Sequence, residues 1–545
     1  MRLSISLRCA LGCCFLLLIA GILLGQQGPP EIYQSQETLK ARTRLVIVDV
    51  VATDAHGQPV TDLTADDFTM LEQGQPQRIS HFSFQHPGSA PSAAARSLPP
   101  NVVTNAPRFA ASSLNVILFD GINGDFTSQA YARDQLVRFF ASAELDRPVA
   151  MFALESRLRL LEDFTTDAAA LKAAAEKYKP PTLAATTEST QSRASAFTTY
   201  GDYHTNEQNI QVTLNQLNAL AKILAGYPGR KNLIWLSESF PLDLFPDKVI
   251  SAGNNALAVA GGKPGAQEKQ ALGDPGALGL MVGSGAFKDY AAQVMKLADA
   301  MMAAQVAVYP VDAAGVGRND HLASQHTANN MAERTGGKAF HNSNDLAASM
   351  RSGIDDGSTY YTLEYYPDNK KWDGQFRAIQ VKTSRAGVSY RLGYYAVDPE
   401  KATKDEPDKV AENLSRALEL DTPAYTAVRF QAGVVPSTGA EHKVLVNFAI
   451  DPRSVSFERT TDGLEHARVS CTVWAYARGK DKPVMSNGDT VKADLKPEVY
   501  QQMMQAYFPC KRELDLKPGS YTLRLAVIDR TTNLMGTANA EVTVP

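Results

Sequence analysis

The stretch LNVILFDGING, Leu114 to Gly124, is an apolar run interrupted only by Asn115 and closed by an acid and a glycine turn. Such a run, without polar alternation, predicts a strand buried on both faces. Working outward, a helical pattern covers Ala130 to Phe140, a second apolar run covers Val149 to Leu154, and a second helix covers Ala168 to Tyr178. A helix from Asn209 to Leu224, a strand from Asn232 to Leu236, a helix from Phe287 to Ala304, a strand from Val306 to Val311 and a helix ending near Thr335 follow. Alternating apolar strands and helices predict an α/β unit, a doubly wound, mostly parallel sheet with helices on both faces. In such a sheet the ligand crevice lies beyond the carboxyl ends of the strands, which directs attention to the residues after Phe119 and Leu236.

The flanks have a different period. Leu45 to Val51, Phe68 to Leu71 and Ile79 to Phe84 read as short strands broken by turns at His56, Gly57 and Gly74. Pro87 to Pro107 is rich in Ser, Ala and Pro, as a linker would be. After a helix at Asp345 to Ile354, strands return at Tyr360 to Tyr365, Phe376 to Thr383 and Val388 to Tyr395, and from Tyr425 onward short strands alternate with turns, suiting a β-sandwich. The expected boundaries are a signal peptide at 1–26, a β segment at 31–86, a linker at 87–112, the α/β unit at 113–356, its β extension at 357–397, a linker at 398–424 and the sandwich at 425–545. The Gly- and Ala-rich insertion from Pro246 to Ala286 is either a lid over the crevice or a surface loop.

Several function classes are disfavoured at once. A chain of 545 residues with a net charge of -4 and no lysine or arginine track is a poor partner for nucleic acid. Arg2 and Arg8 precede an apolar stretch from Ala10 to Leu24, the order of a secretory signal, so a secreted, periplasmic or envelope location is expected. Membrane contact would come only through that segment if it stays uncleaved. Cys9, Cys13 and Cys14 lie within it, and Cys471 and Cys510 are then left as a candidate disulfide pair. No two histidines have the helical spacing of a zinc protease, and Ser237 and Ser239 lack the glycine flanks of a nucleophile turn. Tyr360, Tyr361, Tyr365, Tyr366 and Trp372 are read as packing rather than as a ligand platform.

The chain also resembles the VWFA-related family of the acidobacterial type. The resemblance rests on VDVVATDAHGQPVTDLTADDFTMLEQGQPQRISHF (Val48 to Phe82), VILFDGING (Val116 to Gly124), YARDQLVRFF (Tyr131 to Phe140) and PGRKNLIWLSESFP (Pro228 to Pro241). VAVYPVDAAGV (Val306 to Val316), MAERTGGKAF (Met331 to Phe340) and the closing YYTLEYYP and FRAIQVKTSRAGVSYRLGYYA continue it in order. It implies a von Willebrand A-like, Rossmann-type fold, protein binding, and a divalent metal held by oxygens at the carboxyl edge of the sheet. The first ligand would be Asp120, but Ile122 and Gly124 stand where two hydroxyl residues belong. Asn123 and Asp125 beside them, Thr165 or Thr166 from a second loop and Glu238 from a third would complete a distorted site for Mg²⁺ or Ca²⁺. Alternatively, Asp120 caps its own loop and no metal binds. Two readings of function follow: an adhesion or scaffolding protein whose crevice meets a protein partner, or a structural envelope component whose β modules make the contacts.

Overall fold

In the computed structural model of the chain, the residues described are 45–86, 98–107, 109, 113–124, 126–179, 200–238, 240, 291–313, 322–396, 407–436 and 442–545. The expected signal peptide and the insertion from Pro246 to Ala286 lie outside them. Strands β1 (Val46–Thr53), β2 (Thr69–Glu72), β3 (Gln75–Gln77) and β4 (Ile79–Gln85) come first, followed by the short β5 (Val102–Thr104). The chain then alternates through β6 (Ser113–Asp120), α1 (Phe126–Ser142), β7 (Val149–Leu154), β8 (Leu158–Thr165), α2 (Ala168–Lys177), α3 (Tyr200–Leu224) and β9 (Arg230–Ser237). After it come α4 (Ala291–Ala303), β10 (Val306–Asp312), α5 (Leu322–Thr335) and α6 (Leu346–Asp356).

The central sheet has the order β10-β9-β6-β7-β8, parallel throughout except for β8, which runs back against β7. Every residue of β6, β7, β9 and β10 is buried. Side chains alternate across a strand, so Val116 and Leu118 enter one core with Leu214, Leu217 and Leu220 of α3, Leu297 of α4 and Met331 of α5. Ile117 and Phe119 enter another, with Leu136 and Phe139 of α1, Leu171 of α2 and Met350 of α6. Each such side chain contributes about 1.5–3 kcal/mol when fully buried. Helix α2 starts where Asp167 accepts from the amides of Ala169 and Ala170, supplying two of the first-turn donors with a partner.

The strands that follow, β11 (Tyr360–Tyr365), β12 (Phe376–Lys382), β13 (Gly387–Ser389) and β14 (Gly393–Tyr395), return to the first four. One sheet has the order β13-β1-β11-β4 and another β14-β12-β2-β3, so segments separated by the whole central unit interleave in both. Their shared core includes Val48, Val50, Phe68, Tyr361, Leu363, Tyr365 and Val381. The tyrosines expected to serve packing are buried with their hydroxyls bonded: Tyr361 donates to Val60 O, Tyr365 to Glu72 Oε2, and Tyr360 accepts from the Arg230 amide. Tyr366 is exposed.

Beyond α7 (Pro407–Leu418), two antiparallel sheets share a further core. One takes β15 (Phe430–Pro436), β16 (Lys443–Ile450) and, further along the chain, β20 (Phe508–Asp515), with β5 at its edge. Val102–Thr104, inside the segment expected as a linker, is thus the edge strand of a distant sheet. The other contains β17 (Glu458–Arg459), β18 (Glu465–Ala477), β19 (Met485–Leu495), β21 (Gly519–Asp529) and β22 (Met535–Val544), with α8 (Pro497–Met504) between β19 and β20 in the chain. Cys471 of β18 and Cys510 of β20 form a disulfide with α-carbons 6.8 Å apart, tying one sheet to the other.

The C-terminal part is fused to the central unit. Ala417, Tyr425, Ile528 and Met535 belong to the same core as α3 and α4. A β-carbon on Gly226 would lie 2.1 Å from the Thr426 carbonyl carbon, so only glycine allows this approach of two backbones. Arg524, 2% exposed, binds the carbonyls of Ala417, Thr422 and Pro423 and the side chain of Asn539. Gly226→Ala is expected to cost about 1–3 kcal/mol by overpacking, read as a lowered thermal midpoint. Closing a loop of 39 residues predicts that Cys510→Ser costs about 4 kcal/mol. A non-reduced peptide map lacking the Cys471–Cys510 linkage, or a denaturation midpoint indifferent to reductant, would contradict that.

Candidate functional site

Strands β6, β9 and β10 end together at one edge of the central sheet, where Asp120, Ser237, Glu238 and Asp312 are all buried. Chain direction alone places them there, because parallel strands deliver their carboxyl ends to the same side. Directly after β6 the chain turns through Gly121, whose amide donates to Leu154 O at 2.8 Å and holds the turn against the end of β7.

The Asp120 carboxylate organises this turn. Its Oδ1 accepts the amides of Ile122 and Asn123, each at 2.9 Å. Its Oδ2 accepts Asn123 Nδ2 at 2.9 Å, Trp235 Nε1 at 3.1 Å and Ser237 Oγ at 2.8 Å. Burial pushes the Asp120 carboxyl above its ordinary value, against the opposing pull of Asn123, Ile122 and Ser237. The second hydrogen of Asn123 Nδ2 reaches Thr213 Oγ1 of α3 at 2.9 Å, so one amide ties the β6 loop to a helix on the sheet's face. Gln129 of α1 donates to Gly124 O at 2.9 Å. A β-carbon on Gly124 would lie 3.2 Å from Glu238 Oε2, which places the third-loop acid against the first loop.

Of the residues expected to hold a metal, Asp120, Asn123 and Glu238 are therefore brought together. Asp125 lies outside the described residues. Thr165 is a correction: it pairs with Val149, whereas Asp120 pairs with Leu154, so the two are separated by the length of β7, roughly 16 Å. The segment after Leu154 is not a loop reaching over the crevice. It reverses at Glu155 to Arg157 and returns as β8, carrying Thr165 to the opposite end of the sheet. Neighbouring Thr166, just past the end of that strand, follows it.

A hard divalent cation needs oxygen lone pairs aimed at a common open point. Asp120 offers about four lone-pair directions and already receives five donors, three of them N–H groups that no rotation turns into acceptors. The indole of Trp235 is a donor only, and it takes up one of these lone-pair directions. Asn123 presents its NH₂ to two acceptors and so contributes no oxygen there. The residues present do not fit a divalent ion at Asp120. Among the described residues no group of three or more His, Cys, Asp or Glu side chains has metal-binding geometry. Thr213, Gln129 and Trp235 are the partners that the sequence did not single out; Thr213 and Gln129 lie on helices whose spacing marks them only as facing inward.

No family model matches the chain, and no curated protein matches it. Several solved structures align over long stretches. One is an aerotolerance-related membrane protein from Bacteroides fragilis, at 10% identity over 45% of this chain and 99% of that one, with a TM-score of 0.24. A second is a von Willebrand factor type A protein from Catenulispora acidiphila, at 8% identity over 88% and 75%, with a TM-score of 0.23. A third, the three N-terminal domains of the type V pili tip protein Mfa5 from Porphyromonas gingivalis, aligns at 10% identity over 86% and 99%, with a TM-score of 0.26. At such TM-scores these likenesses settle neither fold nor function.

The geometry makes a prediction whose sign separates an anchor from a ligand. Removing a carboxylate from a cluster built to hold a cation relieves repulsion in the metal-free protein. Removing this one strands buried donors, so Asp120→Ala is expected to destabilise by about 1–3 kcal/mol. Asp120→Asn is expected to do no better, because its NH₂ would face N–H donors. Chemical denaturation of both variants against the parent reads the difference, and a stabilised variant would contradict the assignment.

Proposed function

We propose that this is an exported, non-catalytic scaffolding protein of the cell envelope, in which a doubly wound, von Willebrand A-like unit serves as a rigid organiser and the flanking β modules, including a C-terminal β-sandwich, meet a protein partner. The observation that carries this reading is the saturated Asp120 carboxylate. Its five donors use the crevice residue that a metal-dependent adhesion site would keep open. The reading in which the crevice captures a partner through Mg²⁺ or Ca²⁺ loses its first ligand by this geometry and its second loop by the position of Thr165.

Other features support the same direction. Ser237, the last residue of β9, donates to Asp120 and so serves the loop rather than a reaction. The apolar segment at the start of the chain and the bridge between Cys471 and Cys510 suit an oxidising compartment. Among the described residues no helix is long and apolar enough to cross a membrane. The shared core and the buried Arg524 suit a protein whose parts hold fixed positions.

Calorimetric titration of Mg²⁺, Ca²⁺ and Mn²⁺ into the chelator-treated protein tests the reading. Silence with all three ions is expected. Saturable binding that disappears in Asp120→Ala would overturn it, as would turnover of ester, phosphate or peptide substrates by the purified chain.

A further inference from the structure

Strand β17 meets β18 over two residues, with Glu458 opposite His466 and Arg459 opposite Glu465. Between them the chain turns through Thr460 to Leu464, where Gly463 N donates to Thr460 O at 3.1 Å and Thr460 N to Leu464 O at 3.3 Å. Gly463 takes φ 78°, a value that favours glycine. So short a ladder is marginal in water by its own hydrogen bonds. On one side it is anchored by Phe457, 4% exposed and in ring contact with Tyr500 and Phe508. On the other side the fastening is a side chain, His466.

His466 Nδ1 lies 2.6 Å from Oδ1 of Asp494, its direct neighbour across the ladder on β19. Its Nε2 lies 3.0 and 3.3 Å from the two carboxylate oxygens of Asp462 in the turn. An ionised carboxylate only accepts, and a neutral imidazole carries one N–H. Both contacts are hydrogen bonds together only when the ring holds two protons. Thr460 Oγ1 is also 2.9 Å from Nε2, but its single proton goes to Asp462 Oδ1, which accepts the Leu464 amide as well. His341 is the contrast: it meets the acceptor Asn329 Oδ1 on one side and the Asn342 amide nitrogen on the other, an arrangement that a neutral ring completes. Around His466 the charged groups are Asp462, Asp494 and, opposite it on β17, Glu458. Arg468 and Lys492, opposite each other, follow two residues along the same face. The bond to Asp494, with that to Asp462, raises the imidazole above its ordinary 6.5 against desolvation, while Thr460, Leu464 and His466 hold the Asp462 carboxyl below its ordinary 3.8.

We infer that His466 is a proton-operated latch, which as imidazolium fastens the β17–β18 turn to β19 and on deprotonation releases it. The proton leaves from Nε2, since Nδ1 makes the shorter bond. The lone pair of Nε2 then faces the Asp462 carboxylate, and Thr460 can turn its proton to the ring only by giving up Asp462. Phe457 stays in the core, so the opening is confined to the segment from Glu458 to His466. A raised imidazole fixes the direction of the response. The latch is fully closed below 6.5 and is lost as the pH rises through the elevated value, while the low Asp462 keeps its side engaged into the acid range. An exported chain so built carries a surface turn that is ordered in acidic and neutral surroundings and loosened in alkaline ones. The latch stands whether or not the β modules meet a partner.

Two measurements on the full chain test this. Histidine ring signals followed by NMR, with His466→Gln assigning the resonance, are expected to place the His466 titration above 6.5. Hydrogen exchange, corrected for its intrinsic dependence on pH, is expected to show the amides of 458–466 losing protection with the same midpoint. One equilibrium governs both, so each pKa unit by which the ring is displaced corresponds to a tenfold loss of protection. Asp462→Asn removes the charge on the turn side without emptying the position. It is expected to bring the titration back toward 6.5 and, like His466→Gln, to flatten the exchange profile. Strands β16 and β20 should not respond, which separates a latch from a general loosening in alkali. A His466 that titrates at or below 6.5, a turn whose protection ignores pH, or a loss of protection that persists in His466→Gln would each overturn the latch.

Discussion

Burial of both faces of the central sheet is the constraint on which the rest depends. Four consecutive parallel strands with no exposed residue cannot stand in water, and each needs helices on two sides. The alternation within β6 divides its side chains between two cores. The helices α1, α2 and α6 close one, and α3, α4 and α5 close the other. Because the strands are parallel, this packing also fixes where the loops emerge. It sets Asp120, Ser237, Glu238 and Asp312 along one edge. The hydrogen bonds of Asp120 then resolve what a buried carboxylate at that edge does: it pays for its own desolvation by fixing a turn, a neighbouring strand and, through Asn123, a helix.

The strands and helices of the central unit were legible because each is a local pattern. LNVILFD, the runs at Val149 and Val306 and the helical spacing through Ala168 to Tyr178 all carry their signal within a dozen residues or so. What escaped was non-local or weak. The stretch from Leu158 to Thr165 mixes Arg159, Glu162 and Asp163 with apolar residues and looks like a connection, yet it is β8, and its reversal removes Thr165 from the crevice. A three-residue strand such as β5 has no period to detect. At the crevice, Asp120, Asn123 and Glu238 could be named from their positions after strands. Whether they bind a cation or one another depends on the direction of each donor, which a sequence does not carry.

Strand pairing was the other limit. An alternating pattern says that a strand exists and which face it buries, but not which strand lies beside it. The two segments at 46–85 and 360–395 each read as β-rich, and only their register shows that they form common sheets. The same holds for Cys471 and Cys510, whose bond joins two sheets that neither cysteine's neighbourhood in the chain announces.

That interleaving has a consequence for how the molecule comes into being. Among the described residues the strands that pair with β1 are β11 and β13, more than three hundred residues downstream. A chain synthesised or threaded through a pore from its amino end would present β1 long before either partner exists, and a strand without a partner is an adhesive edge. The central unit, lying wholly between the two halves, is free to form first and to bring them together. The latest event in the history of this molecule would then be the closing of its earliest segment, a clasp fastened only after everything it encloses is in place.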